Sequence, residues 1–277
     1  MKINQIIVSI FQMKKEQRYL ISFDLDGTLL FTNKEGKDSF LKGFNFYLPP
    51  GHAYIDKIDI SFKGGVDFKI FCELCKMFSI KANKTLFENF SNKYLEFFKN
   101  YSTPSKWIIY EGIFEFLSSL RQKGIECTVV SGNLYDTGIF KLKSANLYEY
   151  FSFFAFNNFE KNRINIMKKI IKYSDKNNFY YIAHVGDSIS DIQSSFNFSL
   201  PSIYFADKIS DMDVDKLLFQ VNTNLNILKF SETQDETIKL FILNLKNKIS
   251  KSFKLVIFSS YIKLKQHFDE IFDFLTC

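Results

Sequence analysis

One stretch constrains this chain more than any other: Tyr19 to Leu30, in which a run of apolar residues leads directly into Asp24-Leu25-Asp26-Gly27-Thr28. Tyr19 to Phe23 is apolar and rich in β-forming residues, the signature of a buried strand. Two carboxylates follow at i and i+2, and Gly27 lets the backbone turn sharply away. Desolvating paired charges at the end of a buried strand is expensive unless a cation or hydrogen bonds compensate. In open α/β sheets the carboxyl ends of the strands are where ligands bind. The residues therefore point to a metal-assisted site, with one carboxylate as ligand or nucleophile and another for proton transfer.

The rest of the chain supplies a framework for such a site. From Ile108 onward, apolar strand patterns alternate with helical ones: a helix at Glu111 to Lys123, a strand at Ile125 to Val130 and a helix at Thr137 to Ala145. A strand follows at Phe151 to Phe156, then a helix at Arg163 to Ser174 and strands at Phe179 to Val185 and Ser202 to Phe205. This alternation gives an α/β fold with a parallel, Rossmann-like sheet. Between the first strand and its partners, roughly residues 38–106, the spacing turns helical, with Phe68, Phe71, Leu74, Cys75 and Phe78 on one stripe. Polar segments at Thr32 to Lys37, with Gly36, and at Thr103 to Lys106, with Pro104, read as hinges. Beyond residue 230, a helix at Asp235 to Ile249, a strand at Phe253 to Ser259 and a helix at Ile262 to Leu275 read as an extra edge layer.

The motif Asp24-Leu25-Asp26-Gly27-Thr28-Leu29 resembles the first motif of the haloacid dehalogenase (HAD) superfamily, in particular its phosphoglycolate-phosphatase-like members. The resemblance implies a core of residues 19–32 and 107–230, a helical cap of 33–106 over the active site, and extensions at 1–18 and 231–277, the latter packed on the core. It makes Asp24 the nucleophile and Asp26 the general acid/base. Dehalogenases and phosphonate-cleaving members lack Asp at the second position, so Asp26 favours phosphate esters or anhydrides. Ser131-Gly132-Asn133, after an apolar strand, resembles the second motif, whose hydroxyl and amide hold phosphate oxygens. The third motif is a basic residue, and Lys161 and Arg163 both qualify; the family's usual Lys-Pro pair is absent. Gly186-Asp187-Ser188-Ile189-Ser190-Asp191 matches the fourth, an acidic pair that binds Mg²⁺ through hard oxygens together with Asp24 and the Asp26 carbonyl. Gly64-Gly65-Val66-Asp67 resembles a cap loop that approaches the substrate, and a helix N-cap at Asp67 is the competing reading.

The implied activity is a magnesium-dependent phosphatase acting on a small phosphorylated metabolite through an aspartyl-phosphate. A phosphosugar mutase and a catalytically silent binding protein on the same fold are the alternatives. Composition narrows the partners. The formal charge of +6 is spread along the 277 residues without a basic block, which argues against nucleic acid. No apolar run reaches the ~18 residues that cross a bilayer. Four cysteines form no disulfide framework, and Cys72 and Cys75 lack the second pair of a zinc site. The expectation is a cytoplasmic enzyme of open oligomeric state. The 34 phenylalanines read as compositional bias.

Overall fold

The computed structural model describes residues 17–56, 60, 62, 64–205, 225–229, 253–258 and 260–276. The possible N-terminal extension and the helix expected at Asp235 to Ile249 fall largely or wholly outside them. Strand β1 (Arg18–Phe23) is the one whose sequence ends in the two aspartates. It is flanked by β4 (Ile125–Leu134) and β6 (Phe179–Gly186), parallel on both sides, with Phe23 level with Val129 and Val185. This register brings the loops after three strands to one edge of the sheet. Beyond β4 lies β5 (Phe153–Asn157), and beyond β6 lie β7 (Ser202–Phe205), β9 (Phe253–Phe258) and β8 (Leu225–Lys229). The order among the described residues is β5-β4-β1-β6-β7-β9-β8, every pairing parallel.

Strands so enclosed must be apolar on both faces, and β1 is. Ile21 and Phe23 join a core with α4 (Ile113–Gln122), α8 (Tyr261–Gln266) and α9 (Phe268–Thr276) on one side. Leu20 faces the other side with Ile166, Met167 and Ile170 of α6 (Arg163–Lys176). The fold is α/β with a Rossmann-like parallel sheet.

The chain leaves this sheet along β2 (Leu30–Phe31) and returns along β3 (Ile108–Ile109), which pair antiparallel as a two-stranded stem. Between them stand α1 (Glu35–Asn45), α2 (Asp67–Met77) and α3 (Lys84–Tyr101). Their core is largely phenylalanine: Phe40, Phe44, Phe71, Phe87, Phe90 and Phe98 are buried together. Cys75 is buried among them. Ring pairs such as Phe40–Phe90, 4.7 Å between centroids at 63°, take the edge-on geometry that aromatic quadrupoles favour. The abundant phenylalanine thus has a structural use here.

Three expectations change. Gly36 does not sit in a hinge: α1 begins at Glu35 and places it in the first helical turn. Glu35 explains the earlier start, because its carboxylate accepts bonds from the Thr103 amide and from Trp107 Nε1 and so ties α1 to the returning chain. Strand β4 runs on through Ser131-Gly132-Asn133, with its register on β5 slipping between Ser131 and Leu134. The C-terminal tail is more than a layer packed on the core. Its strand β9 lies inside the sheet between β7 and β8, and β8 carried too little alternation to stand out in the sequence.

The tail also braces the first motif. Tyr261 is fully buried, stacks on Phe205, and donates from its hydroxyl to the Thr28 carbonyl at 2.9 Å. Tyr261→Phe keeps the ring and removes the bond, leaving a buried carbonyl short of a donor. It is expected to lower stability by about 1–3 kcal/mol. Urea unfolding with an unchanged m-value is the measurement, and no shift in midpoint would show that the bond contributes nothing.

Candidate active site

The three strand ends that coincide in the sheet carry the polar groups. Asp24 leaves the end of β1 buried, and its amide donates to the Val185 carbonyl at 2.8 Å, which fixes the backbone. One carboxylate oxygen, Oδ2, lies 3.1 Å from Arg163 Nη1, and the other, Oδ1, is buried without a hydrogen-bond partner among the described residues. Burial raises the Asp24 pKa; the Arg163 guanidinium opposes this and the Asp191 carboxylate adds to it. Gly27 then turns the chain with φ of +82°, and a side chain there would run into the Asp187 carboxylate. Glycine is required at that position for both reasons.

Asp187 and Asp191 flank the turn from β6 into α7 (Ile189–Phe196). One carboxylate oxygen each from Asp24, Asp187 and Asp191 falls within a 4.8 Å cluster. Asp191 is fully committed. Its Oδ1 takes Arg163 and His184 Nε2, and its Oδ2 takes the Ser188 amide and hydroxyl in a capping box. The Arg163 guanidinium, after burial, is the main influence on it, and its carboxyl is held well below the usual range. Behind it, His184 Nδ1 reaches Ser22 Oγ at 2.7 Å, and Ser22 also bonds Tyr181. The unpartnered Asp24 Oδ1 is therefore the carboxylate oxygen open to a cation from the loop side, and Asp187 offers an oxygen within the same cluster.

Asp26 points elsewhere. Its Oδ2 accepts from Lys141 Nζ at 2.6 Å and from Asn133 Nδ2 at 2.8 Å. Among the described residues its side chain is not in the three-carboxylate cluster, so it is not brought together with Asp187 and Asp191. Ser131 is buried and accepts from Asn133 Nδ2 at 2.9 Å. Gly132 has no room for a side chain, because Gly65 of the helical insertion lies against it. Arg163 is buried on Asp24, whereas Lys161 is exposed and absent from the site, so the structure separates the two basic candidates.

The insertion closes over these groups. Gly64 accepts from Ser190 Oγ at 3.0 Å, and the Asp67 carboxylate accepts from the Leu134 amide at 2.8 Å. Asp67 is the first residue of α2, not its N-cap, and serves the start of α5 (Tyr135–Ser144) instead. A cavity of about 430 Å³ remains between insertion and sheet, lined by Asp24, Asp26, Ser131, Lys141, Arg163 and Asp187 among others.

The family model for haloacid dehalogenase-like hydrolases matches residues 21–205. The chain belongs to that family. No curated protein matches the sequence. Among solved structures, a predicted phosphatase from Clostridium acetobutylicum is similar at 17% identity and a TM-score of 0.55, covering 92% of this chain and 100% of that one. A hydrolase from Pseudomonas syringae is similar at 15% identity and a TM-score of 0.55, covering 92% and 99%. A haloacid dehalogenase-like family protein from Streptococcus pneumoniae aligns at 13% identity and a TM-score of 0.50, covering 91% and 98%. Likeness at these identities concerns the fold.

In this HAD-like hydrolase the sequence did not single out Lys141. It stands on the buried face of α5 with Thr137, Gly138 and Leu142. A lysine at a position whose helical neighbours are all core-facing was the available signal. His184 and Ser22 gave none, since polar residues inside a strand carry no partner information.

Asp67 generates a pH prediction. Burial, only partly offset by the Leu134 amide, pushes its pKa up to about 6. A carboxyl whose folded pKa is raised contributes stability below its unfolded pKa, and that contribution is lost as pH rises through the folded value. Asp67→Asn can still accept the Leu134 amide and never ionises. The melting temperature of Asp67→Asn relative to the parent should therefore rise between pH 4 and pH 7. A constant difference across that range would refute the shifted ionisation.

Proposed function

We propose that this HAD-like hydrolase is a magnesium-dependent phosphatase that cleaves a small phosphate monoester through an aspartyl-phosphate. The observation that carries the reading is Asp24: a buried carboxylate at a strand end, with one oxygen held by Arg163 and the other unpartnered. Placement of this kind converts a weak nucleophile into an effective one, since in-line positioning replaces the entropic cost of encounter. Similarity to the predicted phosphatase from Clostridium acetobutylicum is in keeping with it.

Asp24 would attack phosphorus, with Arg163 balancing charge on the phosphoryl oxygens as well as on the nucleophile. The Ser131 hydroxyl, the Gly132 amide and Asn133, which line the same cavity, would hold the remaining oxygens. Asp26 would give a proton to the leaving oxygen and later take one from water. A magnesium ion, when bound, offsets the negative charge of phosphate and carboxylates. Asp24, Asp187 and the Asp26 carbonyl would hold it, while Asp191 orients Arg163 and braces the turn. Closure of the helical insertion excludes water during transfer. A cavity of about 430 Å³ admits a metabolite-sized ester.

Two measurements test this. Asp24→Asn should reduce phosphate release at least about a thousandfold with the fold intact by circular dichroism; retained turnover would exclude the covalent route. Chelation with EDTA should stop release from a panel of phosphorylated metabolites and Mg²⁺ should restore it, with Asp187→Ala raising the Mg²⁺ concentration needed. Chelator-insensitive turnover would remove the metal from the scheme, and isomer formation without inorganic phosphate would favour a mutase.

A further inference from the structure

Lys141 is 2% exposed, and a buried ammonium is costly unless its donors are used. Two of them are spent inside the site, on Asp26 Oδ2 at 2.6 Å and on Asn133 Oδ1 at 2.7 Å. Asn133 in turn donates to the same Asp26 oxygen. The three side chains close a ring that grips Oδ2 twice and leaves Asp26 Oδ1 without a partner among the described residues. The helical insertion completes the enclosure: Phe98 of α3 has its ring centroid 5.4 Å from Lys141 Nζ, and the ammonium lies beside Gly36 of α1.

Resting on the phosphatase reading, we infer that Lys141 is the positioning residue for the general acid/base. It fixes the Asp26 carboxyl by Oδ2, so that Oδ1 is the oxygen that carries the proton. In the first half-reaction a bond forms between Asp24 and phosphorus while the ester O–P bond breaks. The leaving oxygen keeps the electron pair and receives the proton from Asp26 Oδ1. The carboxylate so formed is stabilised by the ammonium already in contact with it. In the second half-reaction water attacks phosphorus and returns a proton to Oδ1. The Asp24–phosphorus bond then breaks, and phosphate departs with Asp24 restored. A proton donor matters in proportion to how poorly the leaving group departs unaided. The role therefore has a signature that mere structural support lacks.

The experiment compares 4-nitrophenyl phosphate, whose leaving group needs no proton, with phenyl phosphate, of nearly the same shape. Pre-steady-state release of the phenol reads the first half-reaction. Lys141→Met should slow phenyl phosphate about a hundredfold and 4-nitrophenyl phosphate by no more than about threefold, general acids contributing roughly 10²–10⁴-fold. Lys141→Arg, which keeps the charge, should recover part of the phenyl phosphate rate. Equal losses on both esters, or no loss on either, would overturn the inference. If Lys141→Met does not fold, Lys141→Gln removes the charge while keeping a polar side chain at the site and should show selectivity in the same direction, and a uniform loss there overturns the inference equally. A parent protein inactive on both esters and on all other phosphate monoesters would overturn the phosphatase reading and this one with it, whereas an active parent with unselective variants overturns this one alone.

Discussion

The site depends on one buried guanidinium. Arg163 stands between Asp24 and Asp191, and both carboxylates would be prohibitively expensive at that depth without it. The two respond differently. Asp191 has four partners and is held as an anion, whereas for Asp24 burial outweighs the one cation it shares. Arg163 itself is held firmly protonated by its two carboxylate neighbours against the cost of burial. Asp24, Asp187 and Asp191 each bring one oxygen to a cluster at the loop edge that could hold a metal ion.

The sheet register makes this meeting possible. Asp24, Ser131 and Asp187 are separated by more than a hundred residues in places, yet Asp24 and Asp187 follow strand ends that nearly coincide in the parallel ladder, and Ser131 lies two residues past the same level on β4. Short turns then limit how far each side chain strays. The capping box at Ser188 and the glycine at position 27 each hold one turn, and Tyr261 reaches in from the tail to hold the first. The tail strand belongs to the same sheet, so the integrity of the site is linked to a segment far from it in sequence.

The helical insertion contributes in a different way. It places few charged groups in the cavity, and its chief effects are exclusion and contact. Gly65 against Gly132 brings two backbones together where any side chain would hold them apart. Asp67 fastens the insertion to the amide that opens α5, the helix that also carries Lys141. The bond that seats the insertion thus falls at the start of the helix that carries the partner of Asp26. The phenylalanine-rich core gives the insertion its own interior, and the short β2–β3 stem joins it to the sheet.

Much of this was legible in the sequence because it is local. Asp24 and Asp26 follow an apolar run that can only be a buried strand, and Gly186-Asp187 repeats the arrangement on a second one. Alternating strand and helix patterns announced the parallel sheet, and the change of period after residue 38 announced a helical insertion. The choice between Lys161 and Arg163 was not legible: both stand at the entry to the same helix, and only the packing of α6 against β4, β5 and β6 turns one onto Asp24 and leaves the other in solvent. The core-facing neighbours of Lys141 could signal its burial, but its pairing was likewise beyond reach, since Asp26 lies 115 residues earlier. The sheet membership of the tail also had to wait, because an edge strand and an inner strand look alike until their neighbours are known. Sequence determined which elements form and which polar residues stand at the strand ends, through periodicity and turn geometry. Tertiary structure decided which charges face one another, because pairing depends on distances through space that no local pattern encodes.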